Sequence, residues 1–206
     1  MSPTPNLPTL LPGRVHEACG PGRVAFALAQ LGQGGDALWG RVRGVGDALC
    51  PDGMAEFCCP TDLLLTEAAT EVDSLAVAEE ALRDGCLALV VVEITKPLTL
   101  REGRRLQLAA KAGGTTGLCL IPEGMGSNAA ETRWHCAPVF ADSTLMRWEI
   151  IKNKSGTMGV WHVRWNRTAH RVDVVSPVRG GPGSAAVAGD GAFRAEPAAG
   201  QRGQPL

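Results

Sequence analysis

The chain has 206 residues, 45% of them apolar, and a formal net charge of −1. That supports one domain with a sizeable core and excludes a global field drawing the protein to nucleic acid or to a membrane. No uncharged apolar run approaches the roughly 18 residues of a membrane span, and MSPTPNLPTLLPG lacks a signal peptide's basic start and long apolar core, so a cytoplasmic protein without membrane contact is expected.

The first 13 residues are proline-rich and are expected to be flexible, loose or extended. Arg14 to Cys19 alternates and predicts a short strand. Gly20-Pro21-Gly22 then leads into Arg23 to Leu31, an apolar helix stopped by Gly32. A strand, a glycine turn and a helix in that order is where a phosphate loop would sit. Its chemistry is missing. Between Gly20 and Phe26 there is no lysine for the phosphates and no Ser or Thr for magnesium; Arg23 is the only cation. The turn Gly20, Pro21, Gly22, Arg23 therefore reads as a degenerate nucleotide loop, closer to a tight structural turn than to a binding site.

Asp36 to Val42 and Leu63 to Glu67 predict strands, while Gly44 to Pro60 mixes turn residues and resists placement. Asp73 or Ser74 can cap a helix over Leu75 to Arg83 that stops at Gly85, with Leu75, Ala78, Ala81 and Leu82 as its apolar stripe. The run Leu87 to Val92 is apolar and β-branched, fits a strand buried on both faces, and ends in an acid, Glu93. Thr99 and Glu102 have the spacing of a capping box, and Gly113-Gly114 stops the helix they start. Thr115 to Ile121 is the next strand, which completes a βαβ unit and implies a parallel sheet.

The helix of that unit has two faces. Gly103, Leu106, Ala110 and Gly113 share one side and allow close packing on the sheet. On the other side Arg101, Arg104, Arg105 and Lys111 surround Leu108. Two readings fit: a solvated face with one stray leucine, or a basic docking face with an apolar centre.

Beyond Ile121 a polar loop, Pro122 to Glu131, precedes three strand-like runs: Thr132 to Val139, Leu145 to Lys152 and Val160 to Trp165, the last two forming a hairpin. Val172 to Val175 adds a short strand. The expected architecture is α/β, a mostly parallel sheet flanked by helices and extended by antiparallel strands, within residues 14–176. From Pro177 to Leu206, Gly, Pro and Ala supply 18 of 30 residues, and such a tail is expected to be disordered.

Of the seven cysteines, Cys19, Cys86 and Cys119 sit in or beside apolar runs and read as small buried thiols. There is no C-x-x-C, and adjacent Cys58-Cys59 make a poor chelate, so no metal is expected. His16, His135, His162 and His170 lie on or beside strands without a nucleophile partner, and no acid pair has a fixed separation. Single-stranded DNA binding combines cations with stacking aromatics. Arg133, Lys152, Lys154 and Arg164 lie near Trp134, Trp148, Trp161 and Trp165, and are the candidate DNA contacts. Alternation places Trp161 and Trp165 on the same face as Val163, which favours core packing for these rings instead.

The order of elements resembles the RecA core. The closer resemblance is to the ImuA family, grouped with the SulA-like proteins. It is carried by HEACGPG (His16 to Gly22), AEEALRDGCLALVVVEI (Ala78 to Ile94), RRLQLAAKAGGTTGLCLI (Arg104 to Ile121), ETRW (Glu131 to Trp134) and MRWEIIKNKSGTMGVWHVRW (Met146 to Trp165). This resemblance implies a RecA-like fold that has lost its ATPase apparatus, with no catalytic residue and no cofactor. Glu93 falls at the Walker-B acid position of such a core, but without a phosphate loop it has no magnesium-nucleotide to hold and reads as a strand-end acid. The implied role is an adaptor in SOS-induced, error-prone translesion synthesis. The implied partners are an ImuB-like Y-family polymerase homologue, an error-prone DnaE-type polymerase and RecA. The rival readings are a SulA-like inhibitor of the tubulin-like division protein and a DNA-binding RecA-like protein with residual nucleotide binding.

Overall fold

A computed structural model describes residues 7–46, 49–140 and 142–178. The strands are β1 (Val15–Cys19), β2 (Ala37–Val42), β3 (Leu63–Ala68), β4 (Leu89–Glu93), β5 (Thr116–Leu120), β6 (Thr132–Val139), β7 (Asp142–Asn153), β8 (Gly159–Asn166) and β9 (Arg171–Val178). The helices are α1 (Arg23–Leu31), α2 (Pro51–Met54), α3 (Glu71–Asp84) and α4 (Leu100–Gly113). The nine strands among the described residues form one sheet in the order β3-β2-β4-β5-β1-β6-β7-β8-β9. From β3 to β6 every neighbouring pair is parallel, and from β6 onward every pair is antiparallel. The expected mixed α/β sheet is therefore present.

Two apolar layers sandwich the sheet. On one face α1 packs with Trp39, Val91, Leu118, Trp134, Trp148, Trp161 and Val163. On the other, α3 and α4 pack with Val15, Leu38, Val90, Val92, Cys119 and Ile121. β4 shows why its sequence is apolar throughout: Val91 points to the first layer, Val90 and Val92 to the second, and all three are buried.

α4 forms as its sequence predicts. Thr99 Oγ1 accepts the Glu102 N–H, and the Glu102 carboxylate accepts the Thr99 N–H at 2.7 Å. The Thr99 hydroxyl, which also donates to that carboxylate at 2.7 Å, and the Thr99 N–H together hold the Glu102 carboxyl below its ordinary range. α3 differs at its start. It begins at Glu71, capped by Thr70, whose Oγ1 accepts the Asp73 N–H at 3.2 Å. Glu71 then accepts from the Thr95 N–H and hydroxyl beyond β4, which fixes the earlier start.

Three further expectations need adjustment. Leu7 and Leu10 pack on the α1-side core, so residues 7–13 are anchored rather than loose. The Gly44 to Pro60 segment that resisted placement contains α2 and leads at its end into one turn of 3-10 helix, Pro60–Asp62. β9 extends to Val178, past the expected domain end at 176; the rest of the glycine-rich tail and residues 1–6 lie outside the described residues. No helix among the described residues is long and apolar enough to cross a membrane.

Candidate functional site

The turn after β1 follows the middle strand of the nine-stranded sheet, one strand before the switch from parallel to antiparallel pairing. Its backbone donors are used internally. The Gly22 N–H donates to Cys136 O at 2.8 Å, and the Arg23 N–H donates to Gly20 O at 3.2 Å. The Arg23 guanidinium folds back on the same Gly20 carbonyl, also at 3.2 Å. Gly20 has φ +86°, and a Cβ there would stand 2.5 Å from Cys136 O; at Gly22 it would meet the Met146 methyl. β6 and β7 thus fill the space in front of the turn. A phosphate-binding nest needs several N–H groups converging on an open cavity. Here two of them are spent on the fold.

Glu93 at the end of β4 is also committed. Its carboxylate accepts the indole N–H of Trp39 at 2.7 Å. Trp39 is fully buried, so this bond satisfies a donor that water cannot reach.

Beside the turn, β1 and β6 form a buried polar ladder. Two adjacent β1 residues point to opposite faces, and each finds its partner on β6. On the α1 face His16 is fully buried. The Leu11 N–H donates to His16 Nε2 at 3.0 Å, which places the ring proton on Nδ1, 2.7 Å from Thr132 Oγ1. Trp134 donates to the same hydroxyl at 2.9 Å. Burial lowers the His16 pKa to about 4, so the ring is neutral at pH 7. On the α4 face the Glu17 carboxylate, 1% exposed, accepts from Arg133 Nε and from the Ser127 N–H, both at 2.7 Å.

That ladder redirects three of the four expected DNA contacts. Arg133 also donates to Ser127 O, and its guanidinium lies where Gly126 would otherwise carry a side chain. Lys152 Nζ reaches the carbonyls of Ser127, Asn128 and Ala130 at 3.3, 3.2 and 2.5 Å, and desolvation lowers its pKa. Lys154 Nζ donates to Ala129 O at 2.7 Å. These cations bind the 122–131 loop to the sheet. The fourth, Arg164, pairs with Asp142 at 2.6 Å. Three of the four expected stacking rings, Trp134, Trp148 and Trp161, are core, with Phe26 meeting Trp134 at 5.2 Å and Trp148 at 4.7 Å; Trp165 is partly buried and packs on Phe57 at 4.9 Å. Four satisfied cations and three buried rings do not make a built DNA surface.

The cysteines separate likewise. Cys19, Cys119 and Cys136 are buried, and burial raises all three thiols, which makes them poor nucleophiles. Cys86, expected to be buried, is exposed because β4 begins only at Leu89.

The outer face of α4 is arranged differently. Leu108 is 68% exposed and Leu100 48%. No ion pair or side-chain hydrogen bond engages Arg101, Arg104 or Lys111 among the described residues. Arg105 is the exception within the expected set: it pairs with Glu79 of α3 at 2.6 Å and braces the two helices. Leu100, Arg104, Leu108 and Lys111 follow one stripe along the helix, at steps of four, four and three. Beside the stripe, Asn128, Ala129 and Lys154 form the far wall of a groove of about 510 Å³, with Gln107 between the two walls. Gln107 Nε2 donates to Val15 O and Ala129 O, which ties α4 to that wall. Leu100 and the loop wall were not singled out from the sequence. The i, i+4, i+8 spacing of Leu100, Arg104 and Leu108 was a signal for the first; nothing local signalled the second. The chain matches no protein-family model and no curated protein.

Proposed function

We propose that this protein is a non-catalytic, RecA-like adaptor of the ImuA type, acting in the cytoplasm in damage-induced translesion synthesis. It holds a Y-family-polymerase-like partner through the outer face of α4 and contributes no chemistry of its own. The closed turn after β1 is the observation that carries the non-catalytic part: Gly22 and Arg23 spend their N–H groups on Cys136 and Gly20, and β6 and β7 stand where a nucleotide's phosphates would go. Glu93 already accepts from the Trp39 indole, which supports the same reading. The place of that turn after a central parallel strand, and the antiparallel strands beyond β6, support the RecA-like part. The resemblance of HEACGPG, RRLQLAAKAGG and ETRW supports the pathway.

Co-expression with the polymerase-like partner, followed by size-exclusion chromatography and calorimetry with magnesium-ATP, tests the reading. Co-migration with the partner and no heat from ATP are expected. Micromolar ATP binding, or co-migration with the tubulin-like division protein in place of the polymerase-like one, overturns it.

A further inference from the structure

We infer that the groove between α4 and the 122–131 loop receives an acidic segment of a partner protein carrying an apolar anchor residue. The adaptor reading says which partner brings the segment; the chemistry of the segment follows from the groove itself. Its lining is Leu100, Arg104, Gln107, Leu108, Asn128, Ala129 and Lys154, which includes two cations and no carboxylate. Arg101 and Lys111 flank it, again without acidic partners among the described residues. Lys154 donates to the Ala129 carbonyl and forms no ion pair among the described residues, so it brings a positive charge to the groove wall. The protein as a whole has a net charge of −1, so this local excess of cations runs against the average. An acidic segment is the complement.

The leucines supply the second element. Two exposed leucines a helical stripe apart offer an anchor site, and cations around them form a polar rim. The groove is preformed. Gln107, Lys152, Lys154, Arg133 and Glu17 all hold the loop wall in place, so a partner does not have to order it on binding. Nucleic acid is the weaker occupant because single strands need aromatic platforms beside the cations. No aromatic residue lines this groove.

The test uses the full chain and two labelled peptides with the same leucine pattern, one with glutamates at its polar positions and one with lysines. Fluorescence anisotropy should show the glutamate peptide bound and the lysine peptide unbound at low salt. Leu108→Ser and Arg104→Glu should each weaken the glutamate peptide at least about tenfold, with the charge effect shrinking in high salt. Val175→Ser, on the exposed part of β9, should change nothing. Equal binding of the two peptides, unchanged affinity in both groove variants, or displacement of the peptide by a single-stranded oligonucleotide would overturn the inference. So would self-association that the groove variants abolish, since the occupant would then be a second copy. Binding of the glutamate peptide without co-migration of the polymerase-like partner would sink the adaptor reading alone. Equal co-migration of that partner with wild type and with the Leu108→Ser/Arg104→Glu double variant would sink the groove alone.

Discussion

The turn after β1 and the outer face of α4 both carry arginines beside glycine-bounded helices, yet they are opposite in state. In the turn the Gly22 N–H is bonded to Cys136, and the Arg23 amide and guanidinium to Gly20. On α4, Arg101, Arg104 and Lys111 have no side-chain partner among the described residues, and Leu108 stands in water. Residue type does not separate the two regions; satisfaction does. A satisfied cation is part of the fold, and removing it costs stability. An unsatisfied one costs little to remove from the monomer, so it is available for a partner.

That difference sets the size of each mutational effect. The largest is expected in the closed half of the molecule. Trp134 is 1% exposed, packs on Phe26 and Trp161, and donates to Thr132. Trp134→Ala should cost about 3–5 kcal/mol and lower Tm by on the order of 10 °C. If the rings instead faced DNA, thermal unfolding would show no change and oligonucleotide binding would fall.

Next comes the loop latch. Glu17→Ala leaves the Ser127 N–H and Arg133 without their acceptor. Breaking a fully buried pair costs about 3–5 kcal/mol; Arg133 keeps 20% side-chain exposure, so about 2–4 is expected. Hydrogen exchange in residues 122–131 should rise in the same variant. A destabilised protein with unchanged exchange in the loop would mean the latch acts elsewhere.

A third effect is a pH dependence. His16 titrates at about 4 in the folded chain and near 6.5 when unfolded. Between these values the unfolded chain binds a proton that the folded one does not, so this contribution is complete above pH 6.5 and is lost as pH falls toward 4. Its size is up to about 3 kcal/mol at the full shift. The groups around the ring are Leu11, Thr132 and, as a nearby charge, Arg14. Denaturant unfolding should show the fall, and His16→Gln should flatten that segment of the curve while lowering stability at pH 7.

Much of the architecture was legible because its signals are local. The Thr99–Glu102 box and the apolar run into Glu93 lie within a few residues of what they specify. The site was less legible because its bonds are not local. Glu17 meets Ser127 across 110 positions and Arg133 across 116. A sequence shows Lys152 and Lys154 as cations near tryptophans; it does not show that loop carbonyls lie within their reach. The same limit applies to Cys86, whose exposure depends on where β4 begins, and to Arg105, whose partner Glu79 is on another helix. HEAC and TRW were read as separate motifs, yet in the fold they bond to each other.

The smallest effect is the sharpest test of the contrast between satisfied and unsatisfied charge, because it compares neighbours in sequence. Arg104 and Arg105 are the same residue type on adjacent positions of α4. Arg105 pairs with Glu79, itself only 12% exposed and also held by Arg83 at 2.6 Å. Arg104 has no such partner among the described residues. Arg105→Glu places a carboxylate against Glu79 and should cost on the order of 1 kcal/mol, limited by the solvent around the 57%-exposed arginine side chain. Arg104→Glu should stay within about 0.5 kcal/mol of wild type. High salt should narrow the gap, since screening weakens both the lost attraction and the new repulsion. The roles reverse in binding. Arg104 lines the groove and Arg105 does not, so Arg104→Glu should weaken the acidic peptide and Arg105→Glu should weaken it less. Parallel denaturant and anisotropy titrations decide the matter. Two variants equal in both measurements would mean that the pairing to Glu79 does not distinguish the two arginines, and the division between a bonded brace and an open face on α4 would fail with it.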